Sequence, residues 1–511
     1  MPVTSFHAPA ELWTAADAAA ADRYTMDDLG IASEVLMERA ALCVARQAMD
    51  LLAETPGRVC ALAGPGNNGG DAVACARILH GWGIDAAVWL SGPAHRGALA
   101  RQVAWARACG VEVFDADAPL PEGPCLWIDG LLGTGSRGAP RGKVAARLRE
   151  LATRNGPVVA VDLPSGVDPD SGAVHEGAAR AEVTVTFGRS KPGLHATPGR
   201  SHAGRVVVAD IGLVPDPSWR PTVRLVDPEQ VAASVAALPS GPHKGARGRV
   251  VVVGGGATTP GAATLAAFGA LVAGAGLVTV ASARAEVREL AVAHHAELMV
   301  DARTDPGAWD PRWVAVVGPG LTDPDAAEVA RAFWTEFSGA AVFDAGALEA
   351  IAHVEAAGPR IVTPHPGEAA RLLARLGGAP VAVADVQADR IEAARRISRA
   401  TSAVTVLKGA GTVVADPDGN VRIATEGTAV LATAGTGDVL AGIAGALLAR
   451  GLAPSDAATC AVHLHARAGE IARREHGGGA PGVVASEVAE ALGRAVVEAD
   501  HADGYPALLR G

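Results

Sequence analysis

The sequence has no excess of positive charge: 44 Lys and Arg stand against 55 Asp and Glu, a net charge of −11. That balance argues against general binding to nucleic acid or an anionic membrane, because nothing would offset phosphate repulsion. Small anionic ligands stay open, since local backbone dipoles bind them inside an acidic protein. Cysteine is sparse. Six residues, at 43, 60, 75, 109, 125 and 460, form no Cys-x-x-Cys pair, and a chain of this length does not depend on disulfides, which points to a reducing compartment. Met1 to Asp28 lacks a basic start followed by an apolar run, so no secretory signal is read there and a cytoplasmic location is expected. One stretch, Val250 to Ala283, has no charged residue at all and is long enough to cross a bilayer. Gly254-Gly255-Gly256, Pro260-Gly261 and Gly274-Ala275-Gly276 interrupt it. A buried strand, a glycine turn, a core helix and a second strand describe it better.

What is present is the pattern of an enzyme with more than one domain. The chain has 511 residues, 49% hydrophobic and 19% charged, too many for one core and too apolar for disorder. Short β-branched runs recur, each ending in glycine or aspartate and followed by a helix-like segment. They include Arg58–Ala63, Leu126–Asp129, Pro157–Asp162, Arg249–Val253, Trp313–Val317, Ala341–Asp344 and Val404–Leu407. Alternating buried strands and helices mean an α/β fold with a mostly parallel sheet, whose ligands sit beyond the carboxyl ends of strands. Val214 to Pro242 is proline-rich and weakly periodic, so the seam falls there, with one domain over 1–215 and another over 225–505. No motif repeats between the halves, which predicts two different folds.

Three strand ends in the first half carry chemistry. Gly64-Pro-Gly66-Asn67-Asn68-Gly69-Gly70-Asp71 has the G-x-G-x-x-G spacing of a dinucleotide loop. The acid expected at the end of the next strand is missing, because Ala86–Leu90 runs into Ser91, and an ordinary dehydrogenase is disfavoured. The loop offers amides at a helix start and the side-chain oxygens of Asn67, Asn68 and Asp71. Asp129-Gly-Leu-Leu-Gly133-Thr134-Gly135 and Asp162-Leu-Pro164-Ser165-Gly166 add carboxylate and hydroxyl oxygens, a set suited to a hard cation and a polar ligand. Each loop alone is equally readable as a turn.

Taken in order, Leu36-Met-Glu-Arg-Ala40, the Gly64–Asp71 loop, Asp129–Gly135, Asp162–Gly166, Phe187-Gly-Arg-Ser-Lys191-Pro-Gly-Leu194 and Asp210-Ile-Gly212 resemble the NAD(P)H-hydrate epimerases. The resemblance implies a Rossmann-like three-layer domain. It implies a K+ ion on Asn68, Asp129 and Ser165, and Asp162 as the group that moves a proton at the hydrated ring carbon. Asn67, Asn68, Gly69, Gly70, Asp71, Gly133, Thr134, Gly135, Ser136, Arg137 and Gly138 would line the substrate. The family loop usually ends Gly-Gly-Asp-Gly; here Ala72 follows Asp71, which predicts a slightly narrower approach.

In the second half, Ala434-Gly435-Thr436-Gly437-Asp438 opens a helix running to Arg450. Amides there would face a phosphate, and Asp438 could act as base toward a substrate hydroxyl; an N-cap role is the plain alternative. Lys408-Gly-Ala-Gly411-Thr412 and Thr363-Pro-His365-Pro-Gly367-Glu368 follow two strands, and His243-Lys244-Gly245 precedes the Val250 strand, where a basic pair could meet phosphate. With Ala275-Gly-Leu-Val-Thr-Val280 and Gly318-Pro-Gly-Leu321, these resemble the NAD(P)H-hydrate dehydratases, which have a ribokinase-like α/β fold. The resemblance implies that Ala262, Gly320, His365 and Asp438 contact the hydrate, while Lys408, Gly409, Ala410, Gly411, Thr412 and Gly437 hold the nucleotide.

The whole chain then reads as a repair enzyme for hydrated NADH and NADPH (NADHX and NADPHX), using ADP or ATP with Mg2+ and assembling as a homo-oligomer. Gly427-Thr-Ala-Val-Leu-Ala432 replaces the family's Gly-Asn-Pro-Gly-Met-Ala, Ala434 stands where glycine is common, and Gly254–Gly261 lacks the frequent Ser and Tyr. These departures predict altered nucleotide affinity or loop mobility. A ribokinase-type small-molecule kinase fused to a non-catalytic binding domain is the alternative.

Overall fold

The computed structural model describes residues 8–92, 97–235, 247–351, 354–478, 482–501 and 504–510. The chain divides into two compact units, Met1–Arg224 with Tyr505–Gly511, and Leu225–Gly504. The first therefore includes a C-terminal strand, Ala507–Arg510, which pairs with a strand ending at Asp210. Nothing in the periodicity announces that return.

The first unit is built on β1 (Arg58–Ala63), β2 (Ala86–Leu90), β3 (Glu112–Phe114), β4 (Cys125–Gly130), β5 (Val158–Val161), β6 (Val183–Phe187) and β7 (Arg205–Asp210). In space the order is C-terminal strand–β7–β6–β5–β4–β1–β2–β3, with every pair parallel. Successive side chains of a strand face opposite ways. Val59 and Ala61 of β1 accordingly join Val44, Val73 and Val103 from helices on one face. Cys60 and Leu62 join Trp127, Leu148 and Leu151 on the other. Helices on both faces make three layers and explain why β1, β4 and β5 are apolar almost throughout. Strand order reverses between β1 and β4, and the crevice at such a reversal is where ligands bind.

The second sheet holds β8 (Val223–Leu225), β9 (Arg249–Val253), β10 (Leu277–Ala281), β11 (Met299–Asp301), β12 (Val314–Val317), β13 (Ala341–Phe343), β14 (Arg360–Val362), β15 (Val404–Leu407), β16 (Val413–Ala415) and β17 (Val421–Ile423). Its order is β11-β10-β9-β12-β13-β14-β15-β16-β17-β8. The run from β11 to β15 is parallel, and β16 and β17 continue antiparallel. The reversal lies between β9 and β12. The uncharged stretch resolves into β9, helix Pro260–Val272 and β10. Its alanines and glycines let that helix lie backbone-close to helix Thr436–Ala449, with Gly442 against the Ala266 carbonyl, over a valine layer from β9 and β12. Among the described residues, no helix is long and apolar enough to cross a membrane.

Candidate active sites

After β1 the chain turns through Gly64 into helix Asn67–Gly81. A side chain at Gly64 would run into the Leu131 carbonyl, so glycine is needed for the turn to lie against the loop after β4. Asn67, Asn68 and Asp71 from this helix, Thr134 and Ser136 from the β4 loop, and Asp162 and Lys191 form the polar wall of a cavity of about 520 Å³. Met26, Leu36, Met37, Leu131 and Leu213 form its apolar wall. That mixture suits a small polar ligand with a flat apolar part.

Asp162 follows β5 at φ +64°, a left-handed conformation that aspartate tolerates better than most residues. Its Oδ1 accepts from Lys191 Nζ at 2.5 Å, Thr186 Oγ1 at 3.1 Å and the Phe187 amide at 3.2 Å. Lys191 also donates to Thr186 Oγ1 at 2.9 Å and the Phe187 carbonyl at 3.0 Å, which uses all three ammonium protons. Both residues are buried, and removing one partner of such a pair costs about 3–5 kcal/mol. Asp71 is 8% exposed, and among the described residues nothing bonds to its carboxyl. Burial pushes its pKa well above the usual carboxylate range, and the Asp162 and Asp22 carboxylates add to the effect.

Asp129, at the end of β4, is wholly buried. Ser165 donates to it from its amide at 2.8 Å and its hydroxyl at 2.6 Å, and the Leu131 amide does so at 3.3 Å. The Leu132 amide donates to Ser165 Oγ at 2.9 Å, and Asn68 Nδ2 donates to the Leu132 carbonyl at 2.8 Å. Asn68, Asp129 and Ser165 are thus gathered around one loop. Among the described residues no Lys or Arg pairs with Asp129, and burial raises its pKa. A buried carboxylate that no Lys or Arg among the described residues neutralises, bonded to the Ser165 hydroxyl, with the Leu132 carbonyl and the Asn68 amide one step beyond, fits a cation that takes oxygen ligands.

Several residues expected in the substrate wall lie elsewhere. Gly69 packs on the Gly64 backbone and Gly70 lies under the Met37 side chain; both are tight-packing positions. Arg137 turns outward, 57% exposed and 3.6 Å from Asp170, and Gly138 is not part of the cavity lining. Gly133, Thr134, Gly135 and Ser136 do line it. Ala72 does not narrow the approach: its methyl is buried and faces Gly130 of β4. Lys191 and Asp22 were not singled out as site residues. Lys191 lay within a recognised motif, whereas Asp22 carried no sequence signal.

In the second unit, helix Thr436–Ala449 has Gly435 as its N-cap, at φ +91° and with no side-chain cap bond. Asp438 is therefore not the cap. It stands in the first turn, beside the open amides of a helix start. Lys408, following β15, donates to Asp344 Oδ1 at 2.6 Å and lies 4.0 Å from Glu368 Oε2. Thr363 Oγ1 donates to the same Asp344 oxygen at 2.7 Å. Burial and the neighbouring Asp344 carboxylate push Asp438 up to about 7, against the Lys408 charge, with Glu368 adding to the rise. Burial works against the Lys408 ammonium, but Asp344 and Glu368 outweigh it and hold the group charged.

His365 Nδ1 accepts from the amides of Gly367 at 3.0 Å and Glu368 at 3.4 Å, capping helix Pro366–Gly377. Glu368 answers by accepting from the His365 amide at 2.8 Å. The imidazole is thereby fixed half-exposed, with Nε2 3.4 Å from Glu368 Oε1. Buried Arg390 clamps the start of the Lys408–Thr412 loop, donating to the Leu407 and Lys408 carbonyls at 3.0 Å each. Thr412 Oγ1 closes the loop on the Gly409 carbonyl at 2.8 Å. Ala262 and Gly320 face one another across the β9–β12 reversal, where Thr259 Oγ1 donates to the Gly320 carbonyl at 3.0 Å. They share the sheet edge with Asp438. Asp344, Glu368 and Arg390 were not singled out as site residues.

The altered segment before Asp438 forms a short 3-10 turn, Ala429–Ala432. Thr436 Oγ1 lies 2.7 Å from the Leu431 carbonyl and 2.9 Å from that of Thr433, and the Leu431 side chain seats on Gly469. The segment is tied to the helix start. His243, Lys244 and Gly245 lie outside the described residues.

Comparison with known proteins matches residues 33–193 to the YjeF-related protein N-terminus and residues 250–493 to the NAD(P)H-hydrate dehydratase family. The bifunctional NAD(P)H-hydrate repair enzyme Nnr of Escherichia coli (strain K12) is 34% identical over 504 residues, covering 96% of this chain and 94% of its own. This chain belongs to the bifunctional NAD(P)H-hydrate repair enzymes. Another member, from Moorella thermoacetica, is 36% identical over 503 residues, covering 91% of this chain and 93% of its own. Among solved structures, the ADP/ATP-dependent NAD(P)H-hydrate dehydratase of Bacillus subtilis, co-crystallised with ATP/Mg2+, is 30% identical with a TM-score of 0.48. That match covers 54% of this chain and 98% of the Bacillus one.

Proposed function

We propose that this chain repairs hydrated NADH and NADPH. The first unit interconverts the R and S hydrates, and the second dehydrates the S form with ADP, giving AMP, phosphate and the restored dinucleotide. The observation that carries this reading is the presence, in one chain similar to repair enzymes along nearly its whole length, of two built sites. One is the Asp71–Asp162–Lys191 cavity, and the other is the Asp344–Lys408–Asp438 cluster at an open helix end.

In the second site, Asp438 takes the proton of the ring hydroxyl as that oxygen attacks phosphorus. The first-turn amides at Gly437 and Asp438 receive phosphate oxygens, and Lys408 with the Gly409–Thr412 loop holds the nucleotide. A phosphorylated hydroxyl is a far better leaving group, so loss of phosphate with a proton from the neighbouring carbon restores the double bond. Among the described residues no three carboxylates are grouped to hold a metal by themselves; Mg2+ would arrive with the nucleotide phosphates and take an oxygen of Asp438 beside them, as this ion commonly binds through one or two carboxylates plus phosphate. When bound, Mg2+ neutralises charge on the group being transferred.

In the first site, Asp162 carries the proton at the hydrated carbon, with Lys191 fixing its orientation. Asn68, Asp129 and Ser165 would hold K+, which supplies positive charge beside the cavity. The choice of K+, the preference for ADP over ATP, a homo-oligomeric assembly and a cytoplasmic location rest on family resemblance.

The test is to mix the purified chain with NADPH hydrate and ADP and follow the absorbance of restored NADPH. Complete recovery from a mixture of R and S forms is expected. No recovery, together with stable phosphorylation of an alcohol, would replace this reading with a small-molecule kinase.

A further inference from the structure

Among the described residues, Asp71 is the one buried carboxyl lining the first cavity that has no hydrogen-bond or ion-pair partner, and no chemical step has yet been given to it. Asp162 Oδ1 is taken by three donors, and Lys191 has spent all its protons. Asn68 is engaged with the Leu132 carbonyl. Asp71 is more than nine-tenths buried, lines the cavity, and among the described residues has no hydrogen bond or ion pair. A carboxyl in that position is retained at a cost, because an unpaired buried charge is strongly disfavoured. Such a group escapes the cost by keeping its proton, and a neutral acid is a hydrogen-bond donor.

The chemistry of a hydrated dihydronicotinamide says what that donor could serve. Water adds across an enamine so that the hydroxyl lands on the carbon bonded to nitrogen. That carbon is the stereocentre, and its C–O bond breaks readily once the oxygen is protonated, because the nitrogen lone pair can replace it. Resting on the epimerase reading of this site, we propose that Asp71 is a second catalytic residue, the general acid that protonates the leaving hydroxyl while Asp162 acts as base toward water returning on the opposite face.

Every atom is accounted for. Asp71 gives its carboxyl proton to the hydroxyl oxygen; the C–O bond breaks, water departs, and the nitrogen lone pair forms a C=N+ bond. Water then adds to the other face, the C=N+ electrons return to nitrogen, and the surplus proton goes to Asp162. Transfer of that proton back to Asp71 through cavity water resets the site. The only co-reactant is water. The charged and titratable groups facing Asp71 are Asp162 and Asp22, with Cys75 one helical turn along and Lys191 on the far side of Asp162. The two acids disfavour ionisation of Asp71, and the lysine is committed to Asp162. The cationic intermediate would form between carboxylates, which favours it.

The experiment runs wild-type epimerisation of R hydrate in H2 18O and measures label in the S product, beside the rate of Asp71→Asn. One solvent oxygen per inversion is expected, with a loss on the order of 10²-fold or more in kcat for Asp71→Asn and little change in KM. The wild-type rate should also decline at high pH as Asp71 ionises, a limb absent from the residual Asp71→Asn activity. Retention of the original oxygen in the wild type would overturn the proposal whatever the variant does, since it means the C–N bond breaks instead. Full activity in Asp71→Asn would overturn it equally. Thermal melting of Asp71→Asn with the first unit's transition retained reports that this unit is folded, since dehydration of S hydrate reports only on the second unit. A wild type that does not epimerise at all would instead remove the epimerase reading beneath it.

Discussion

Among the described residues, Lys191 holds Asp162 at 2.5 Å in the first unit and leaves Asp71 without a partner; in the second, Lys408 holds Asp344 at 2.6 Å and leaves Asp438 without one. Each site thus sets an ion-paired aspartate at the end of a parallel strand beside a second aspartate on a helix, whose ionisation burial and the first carboxylate disfavour. The surroundings differ. Asp71 is in the second turn of its helix, inside a cavity and away from the helix-start amides. Asp438 is in the first turn, where amides and a lysine loop await phosphate. Similar electrostatics can therefore serve proton exchange in one place and phosphoryl transfer in the other. The neighbouring backbone makes the difference.

The largest expected effect tests whether the two devices are independent. Asp438→Ala should lower dehydration of S hydrate by roughly 10²–10⁴-fold while leaving R-to-S epimerisation, followed by chiral separation, unchanged. Loss of both activities in a folded variant would break the comparison.

A smaller effect concerns the lysine-paired partner. Asp438 must be ionised to act as base and titrates at about 7, so wild-type dehydration should fall as pH drops below about 7. Asp344→Asn removes a carboxylate that raises Asp438 and frees Lys408, and both changes lower the Asp438 pKa. The acid limb of the pH profile should move down by about one unit; an unmoved limb would mean that Asp344 does not set the base.

Next comes the cation. K+ should raise the melting temperature of the first unit relative to a large organic cation, by linkage to the folded state. Asp129→Ala should abolish that response.

The smallest effect is on stability. Asp71 has a raised pKa in the folded state, so folding binds protons between the ordinary carboxylate range and that value, and stability falls as pH rises through the window. Asp71→Asn should therefore gain on the wild type as pH rises above the ordinary carboxylate range, by roughly 2 °C in melting temperature.

Much of the fold was legible because buried parallel strands are short β-branched runs that end in glycine or aspartate. Arg58–Ala63, Ala86–Leu90, Arg249–Val253 and Val404–Leu407 run over the same residues in structure as in sequence. The strand Ala507–Arg510 was not legible, since pairing with β7 is a tertiary event with no local signature. The site divides in the same way. Loop glycines and helix-start aspartates announce themselves by spacing, so Asp71 and Asp438 could be singled out. Asp344 looked like any strand-end acid until Lys408 was found against it. Asp22 acts across space from helix Ala15–Arg23. Gly69 and Gly70 were read as substrate contacts, and Ala72 as narrowing the approach, because motif position shows proximity to a site and not which way a residue faces.

The account's central claim is that two separate sites in one chain carry out successive steps on one substrate. Its most direct test is to give pure R hydrate and ADP to Asp438→Ala alone, to Asp162→Asn alone, and to an equal mixture of the two. The account predicts negligible NADPH from either variant at early times and steady recovery from the mixture, because the S hydrate made by one is dehydrated by the other. Recovery by Asp438→Ala alone, or a mixture as inert as its components while both remain folded, would contradict it.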